Sequence, residues 1–184
     1  PAGEDSVLSF IPETAGEYVI DFTATNTAGQ VSFQYLIFVW GKYQQGIILV
    51  NEGWFGHDNG NVNFYQYGSD TVAQMIYHRE NPGKELGVTT QFGAVFQEKV
   101  YLVSKQGPLV VVDAKTFKET GRLSDLPADG RAFLGLNHTS GLISTANGIY
   151  PLDLTSLTVG EKLRSISGET GTLHKQGPYI YALN

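Results

Sequence analysis

One segment of this chain recurs, and the recurrence limits the possible folds more than any other feature. Residues Lys99–Leu123 (KVYLVSKQGPLVVVDAKTFKETGRL) return 40 positions later without a gap. Leu102, Val103 and Ser104 fall on Leu142, Ile143 and Ser144. Leu109 falls on Ile149, Val112 on Leu152, Asp113 on Asp153, Thr116 on Ser156, Phe117 on Leu157 and Leu123 on Leu163. The unit also stands earlier. Leu49 and Val50 lie 53 residues before Leu102 and Val103, whereas Val62 and Tyr65 lie 47 before Leu109 and Val112; the difference is an insertion of six residues. β-rich units repeating every ~40–50 residues are the pattern of a β-propeller, whose sheets bury their faces only against one another.

Each unit reads as short strands. Val100–Ser104 is β-rich, and Lys105-Gln106-Gly107-Pro108 breaks it, because Gly tolerates φ > 0 and Pro lacks a ladder donor. Leu109–Val112 is continuously apolar, as expected of a strand covered on both faces. Asp113-Ala114-Lys115-Thr116 turns the chain, with the carboxylate placed to accept backbone N–H groups just ahead. Phe117–Leu123 is expected to be an outer, more polar strand. Thr89–Gln97, Arg131–Asn137 and Gly171–Leu173 suit innermost strands, and no segment carries helical apolar spacing over 11 or more residues.

Residues 1–43 follow another rule. After the apolar run Val7–Ile11, the segment Gly16–Asn26 puts Tyr18, Ile20, Phe22 and Ala24 on one face, Asn26-Thr27-Ala28-Gly29 turns, and Val31–Trp40 is a second, aromatic-rich strand. These look like the closing strands of an immunoglobulin-like sandwich, similar to a PKD-type repeat, and too short for a ~100-residue sandwich. Gly41–Gly46 is a linker. Ile47–Asn51 aligns with the second strand of the later units, so the first unit has no innermost strand of its own; in closed propellers, by analogy, the far end of the chain fills that place. Residues 44–184 thus read as three blades plus the start of a fourth. The expected fold is all-β, a partial β-propeller preceded by the last strands of an Ig/PKD-like sandwich. The chain starts without Met and stops one strand into a unit, which points to a piece of a longer protein. The alternative is a small, open β-fold.

Composition removes several function classes. A net charge of −6 without a basic stripe argues against nucleic acid or an anionic membrane as the main partner. There is no cysteine, hence no thiolate nucleophile and no cysteine-bound zinc. No apolar run approaches the ~18 residues of a membrane span. The serine-elbow, P-loop and dinucleotide-binding signatures are absent. Glu52 and Asp58 share a loop but lack the fixed scaffold of an acid/base pair. The four histidines, His57, His78, His138 and His174, have no metal-ligand spacing, although folding can bring His57 and His78 to one face. Asp58-Asn59-Gly60-Asn61 has oxygen ligands and a Gly turn, as in a Ca²⁺ loop, but no later acidic ligand, and a plain Asn/Gly turn is the reading preferred over it. Asn137-His138-Thr139 fits a glycosylation triplet.

In a propeller, loops from second to third strands share a face with the connections between blades. That face would hold residues 51–61, 78–87, 105–108, 124–131 and 146–148. The six-residue insertion falls there and carries Trp54, Phe55, His57 and Asp58. Adjacent aromatics between glycines suit a stacking platform for a flat or sugar-like ligand; otherwise one ring tucks under the loop and holds it shut. Arg79, Lys105, Arg131 and Arg164 are candidate cations for carboxylate, phosphate or amide oxygens.

The segment Ile48–Tyr65, ILVNEGWFGHDNGNVNFY, resembles the opening of a surface-layer-type (YncE-like, DUF5074-like) β-propeller family of gut-bacterial surface lipoproteins, which often begins L-N-E-G-x-F-x-x-x-N-G-x-h-x-x-Y. Asn81-Pro82-Gly83-Lys84-Glu85-Leu86-Gly87 resembles that family's N-G-x-x-L-G connector, and Lys99–Phe117 its K-h-Y-h-V…V-V-D-x-x-T-F blade. The resemblance implies a protein that is secreted or lipid-anchored on the outer-membrane surface and is not an enzyme. One branch captures cobalamin and passes it to an outer-membrane transporter. By motif position this makes Asn51, Glu52, Trp54 and Phe55 ligand candidates. The chain departs from the pattern at Trp54, His57 and Pro82.

The leading expectation is a surface protein holding a small nutrient, cobalamin-like or a glycan, through Asn51, Glu52, Trp54, Phe55, His57, Arg79, Lys105 and Arg131. It needs no cofactor, metal or catalytic residue. A scaffold that docks a protein partner is the second expectation, and a propeller lyase or hydrolase the third.

Overall fold

The computed structural model describes residues 9–184. Val7 and Leu8 of the expected run Val7–Ile11 therefore lie outside the described residues. The described chain is all-β, built of several small antiparallel sheets, none of them closed.

Strands β1 (Gly16–Asn26) and β2 (Gly29–Val39) form a two-stranded ribbon in which Tyr18 faces Ile37, Ile20 faces Tyr35, Phe22 faces Phe33 and Ala24 faces Val31. The period-2 alternation thus collects eight apolar side chains on one face. The rings of Phe22 and Phe33 stack 5.3 Å apart, and Tyr35 meets both edge-on. Asn26 sets the turn, its Oδ1 accepting from the Ala28 and Gly29 amides at 2.8 and 3.1 Å.

A three-stranded sheet follows, of β3 (Gly46–Asn51), β4 (Asn61–Gln66) and β5 (Val72–Ala73), then a single helical turn, α1 (Ile76–Glu80). Two four-stranded meanders come next. The first is β6 (Thr90–Phe96), β7 (Lys99–Ser104), β8 (Leu109–Asp113) and β9 (Glu119–Leu123). The second is β10 (Gly130–Gly135), β11 (Ser140–Thr145), β12 (Gly148–Asp153) and β13 (Thr158–Val159). The last pair is β14 (Leu173–Gln176) and β15 (Tyr179–Ala182).

Burial explains why these units stack. In β7 and β8, Val100, Leu102, Val110 and Val112 enter one core with Val62, Phe64, Ile76 and Tyr77, while Tyr101, Val103, Leu109 and Val111 enter a second core with Phe133, Ile143 and Leu152. The continuous apolar run at Leu109–Val112 is therefore a strand buried on both faces. Tyr101 and Phe133 stack face to face between the two meanders at 4.0 Å.

The repeated turn has repeated chemistry. Asp113 Oδ1 accepts from the Lys115 and Thr116 amides at 2.9 and 2.8 Å and from the Thr116 hydroxyl at 2.9 Å. Asp153 does the same with the Thr155 and Ser156 amides at 2.8 and 2.7 Å and the Ser156 hydroxyl at 2.9 Å. Each turn closes on a residue in the left-handed region, Phe117 at φ 61° and Leu157 at φ 53°. That is why the outer strand begins at Glu119 and not at Phe117: Phe117 belongs to the turn, its amide bonded to Asp113 O at 2.8 Å.

The single turn α1 is too short to carry an 11-residue helical pattern, in keeping with the absence of one from the sequence; its Ile76 and Tyr77 are fully buried. One other expectation needs correction. The strand expected over Gly171–Leu173 is β14, starting at Leu173, because Gly171 is held by the Leu183 carbonyl ahead of the strand.

Ser104 and Ser144, one repeat apart, are buried at the ends of β7 and β11. Ser144 Oγ accepts from the Ala132 amide at 3.0 Å and donates to Gly171 O at 2.6 Å, tying its own sheet to the next. Replacing Ser144 by alanine leaves those buried groups without a partner and is expected to cost about 1–3 kcal/mol. Urea denaturation of the variant, with exposed Ser165→Ala as reference, measures the loss.

Candidate functional site

A sequence of backbone bonds gathers the loops at one end of the sheets. The Gly60 amide bonds Gly87 O at 3.1 Å and Asn59 pairs with Val88. The Lys105 amide bonds Thr89 O at 2.9 Å, and the Gly130 amide returns to Lys105 O at 2.7 Å. One repeat later the Ala146 amide bonds Asp129 O at 2.8 Å and the Thr170 amide bonds Thr145 O at 3.0 Å. The loop after each second strand is thus clasped to the connection entering the next sheet.

The loop from Glu52 to Gly60 stands on this end. Asn51 closes the strand pair below it, its Nδ2 donating to Asn61 Oδ1 at 2.9 Å. Gly53 and Gly56 adopt φ of 78° and 80°, which glycine enters without steric cost. The turn between them wraps onto Trp54 O, which accepts from the His57 and Asp58 amides at 2.8 Å each. This brings the imidazole of His57 over the Trp54 indole, with centroids 3.8 Å apart and planes 22° apart. Neither adjacent aromatic tucks under the loop: Trp54 is 66% exposed and Phe55 54%. Lys105 Nζ stands 5.2 Å from the centre of the Phe55 ring, within cation–π range. Glu52 and Asp58 are both exposed. The segment Asp58–Asn61 is the clasp to Val88 and Gly87, so its turn serves inter-sheet contact.

The remaining candidates separate. Lys105 also lies 4.0 Å from Asp129 Oδ2, a loose pair. Arg131 is engaged more firmly, with Nε 2.7 Å from Glu169 Oε1. Arg79 does not join the loop. It lines a recess of about 290 Å³ with Lys42, Gln66, Ser69 and Thr71, beside the turn at the other end of β4. His78 pairs with Glu85 at 2.8 Å and so has a partner of its own, apart from His57. The exposed Arg164 lies on the long connection after β13.

Four residues at this end escaped residue-by-residue reading. Thr89, Asp129 and Glu169 occupy one repeat position at spacings of 40, and Gln91 occupies another, 40 residues before the candidate Arg131. Gln91 reaches the Gly130 carbonyl as Arg131 reaches Glu169, each crossing to the following connection. Thr89 is buried at φ 56°, with no hydrogen-bond partner for its hydroxyl among the described residues. Extending the 40-residue offset to the connections finds all of them.

The strongest electrostatic perturbation lies on the flank, where α1 meets β9. Glu119 Oε2 accepts from Tyr77 Oη at 2.5 Å and from Arg122 at 2.8 Å, and its Oε1 accepts from Lys84 at 3.0 Å. Burial pushes this carboxyl up, but the bonds from Arg122, Tyr77 and Lys84 outweigh it and hold the group at about 2. Burial, then the bond to Glu119, raises the Tyr77 phenol. Asn81 completes the joint, its Oδ1 accepting the Glu119 amide at 2.7 Å and its Nδ2 donating to Phe117 O at 2.9 Å. This cluster clasps one sheet to the next.

No curated protein matches this chain. The model of a family described as a domain of unknown function, DUF5074, matches residues 45–184, from the entry into β3 to the last residue of the chain. That match spans most of the chain and all the stacked sheets, and the chain therefore belongs to the DUF5074 family.

Proposed function

We propose that residues 44–184 are part of a β-propeller whose blades are the stacked antiparallel sheets, and that it binds a small ligand on the clasped loop end without bond chemistry. Residues 9–43 would then be closing strands of an Ig/PKD-like sandwich, since a two-stranded ribbon with an eight-residue apolar face is too small to be stable alone. The observation that carries the ligand reading is the double exposure of Trp54 and Phe55 on a loop fixed at both ends. Exposed adjacent rings, one stacked on imidazole and one beside an ammonium, suit a flat or sugar-like molecule with acceptor oxygens near Lys105. A cobalamin-like or glycan nutrient has this chemistry. Location at the outer bacterial surface, with delivery to an outer-membrane transporter, belongs to the same proposal. Of the eight candidate residues, Asn51, Glu52, Trp54, Phe55, His57 and Lys105 form the proposed site, Arg131 flanks it, and Arg79 is left out.

Titration calorimetry of the full-length protein against cobalamin and a glycan panel tests this. Trp54→Ala with Phe55→Ala is expected to weaken binding about 10-fold or more, as removing two stacking anchors does, with Tm unchanged. A ligand bound equally well by the double variant removes the loop from the site. The scaffold reading, in which the propeller docks a protein partner and the sandwich serves as a spacer, predicts no small-molecule binding at all.

A further inference from the structure

The recess of about 290 Å³ beside Arg79 lies at the end of β4 away from the Trp54 loop. Three segments wall it: the stretch before β3 with Lys42, the hairpin from β4 to β5 with Gln66, Ser69 and Thr71, and α1 with Arg79. The hairpin fixes its own hydroxyls. The Ser69 amide bonds Gln66 O at 3.1 Å, and Ser69 Oγ accepts the Thr71 amide at 3.1 Å. Lys42 Nζ and Tyr43 Oη both donate to Glu80 Oε1 at 2.6 Å, which ties the stretch before β3 to α1. Arg79 is left over: its guanidinium has no ion pair and no hydrogen bond among the described residues. Lys42 has one of its three N–H donors engaged and its side chain is 57% exposed. Phe64, Ala73 and the Tyr43 ring complete the lining, and no side chain of the lining is acidic.

We propose that this recess binds one acidic sugar residue, its carboxylate gripped by Arg79 and Lys42 and its hydroxyls bonded to Gln66, Ser69 and Thr71. The guanidinium fork matches a carboxylate through two parallel N–H bonds, and among the described residues no carboxylate of the chain takes that place. Charge decides among the anions. Burial raises the Glu80 carboxyl, but the bonds from Lys42 and Tyr43 and the nearby charges of Lys42 and Arg79 outweigh it and hold the group below the ordinary glutamate range. Glu80 is therefore ionised near neutral pH. Two cations against that one carboxylate leave a single positive charge, which balances a monoanion and leaves a phosphate dianion in excess. An amino acid fits worse, because its ammonium group would meet no acidic side chain in the lining. Two hydroxyls and an amide, which both donate and accept, suit the ring hydroxyls of a sugar. The volume is at the small end of ligand cavities and has room for about one ring. The site is separate from the loop end and independent of the ligand proposed there.

Titration of the whole chain with methyl β-D-glucuronide, followed by NMR shifts, tests this. The Ser69 and Thr71 amides and the Arg79 Nε–H are expected to shift saturably, while the Trp54 and Phe55 amides stay fixed and so keep the two sites apart. Methyl β-D-glucoside, which lacks the carboxylate, is expected to bind about ten-fold or more weakly. Arg79→Gln, at an exposed position, is expected to weaken the glucuronide by a similar factor. Arg79→Lys is expected to weaken it less, since it keeps the charge and loses the fork. Absence of saturable shifts, equal affinity for the glucoside, or indifference to Arg79→Gln overturns the proposal. So does glucose 6-sulfate or glucose 6-phosphate binding as tightly as the glucuronide, because the carboxylate is then not what is read. Shifts at Trp54 in place of Ser69 overturn it too, by moving the sugar to the loop end.

Discussion

Replacing Phe117 by alanine is expected to lower stability by about 3–5 kcal/mol, the usual cost of removing a buried phenyl ring from a core. The ring is fully buried and meets Tyr43 edge-on at 5.5 Å, within the core between the first sheet and the first meander. Its backbone stays in the left-handed region in either case, so the strain at φ 61° is common to both residues and the difference reports packing. For a domain of this size the loss corresponds to a drop in Tm of about 10 °C. Leu157 occupies the same place one repeat later but is only half-buried, so Leu157→Ala is expected to lose much less. Parallel urea and thermal melts of the two variants compare them. Equal losses would mean that the turn geometry, and not the ring, carries the energy.

The second large effect concerns acid. Glu119 is held at about 2 in the folded chain, below the ~4.3 of an unfolded glutamate. A carboxyl with a depressed folded-state value contributes its full stability above the unfolded value and loses it as pH falls toward the folded value. The window is therefore roughly pH 4.5 down to 2, and the contribution is on the order of 3 kcal/mol. The side chain is only 7% exposed, so screening by solvent is limited. Glu119→Gln is expected to lose a similar amount at pH 7, because Lys84, Arg122 and Tyr77 all converge on that carboxylate. It should also flatten the acid limb. Urea midpoints from pH 7 to 2 for both proteins measure this. An acid limb of unchanged steepness in the variant would assign the sensitivity to another group.

Short-range chemistry was legible in the residues. Asp113 and Asp153 each cap a turn within three residues of themselves, so no distant packing can displace that bond. The alternation at Tyr18, Ile20, Phe22 and Ala24 shows directly in the β1–β2 pairing, because side-chain period follows from strand geometry. Helix α1 left no trace, since five residues make little more than one turn and its burial comes from contacts with β4 and β9. Arg79 was misplaced for the same reason: α1 carries it to the opposite end of β4 from the Trp54 loop.

The candidate site divides along the same line. The spacing of the units marked the Trp54–Phe55 loop as an insertion and implied that it shares an end with the loop at Lys105. Nothing in the residue order says that Lys105 stands by the Phe55 ring, or that Arg131 is taken up by Glu169. By itself, then, the amino-acid order determined the strands, the turns, the repeat and the two-sided burial of Leu109–Val112, since each follows from backbone geometry and side-chain size over a few residues. Only the tertiary structure decided which cations remain near the aromatic loop and which are taken up by carboxylates elsewhere. Those outcomes depend on how whole sheets stack, and that stacking is set by core side chains dozens of residues away, such as Tyr101 against Phe133.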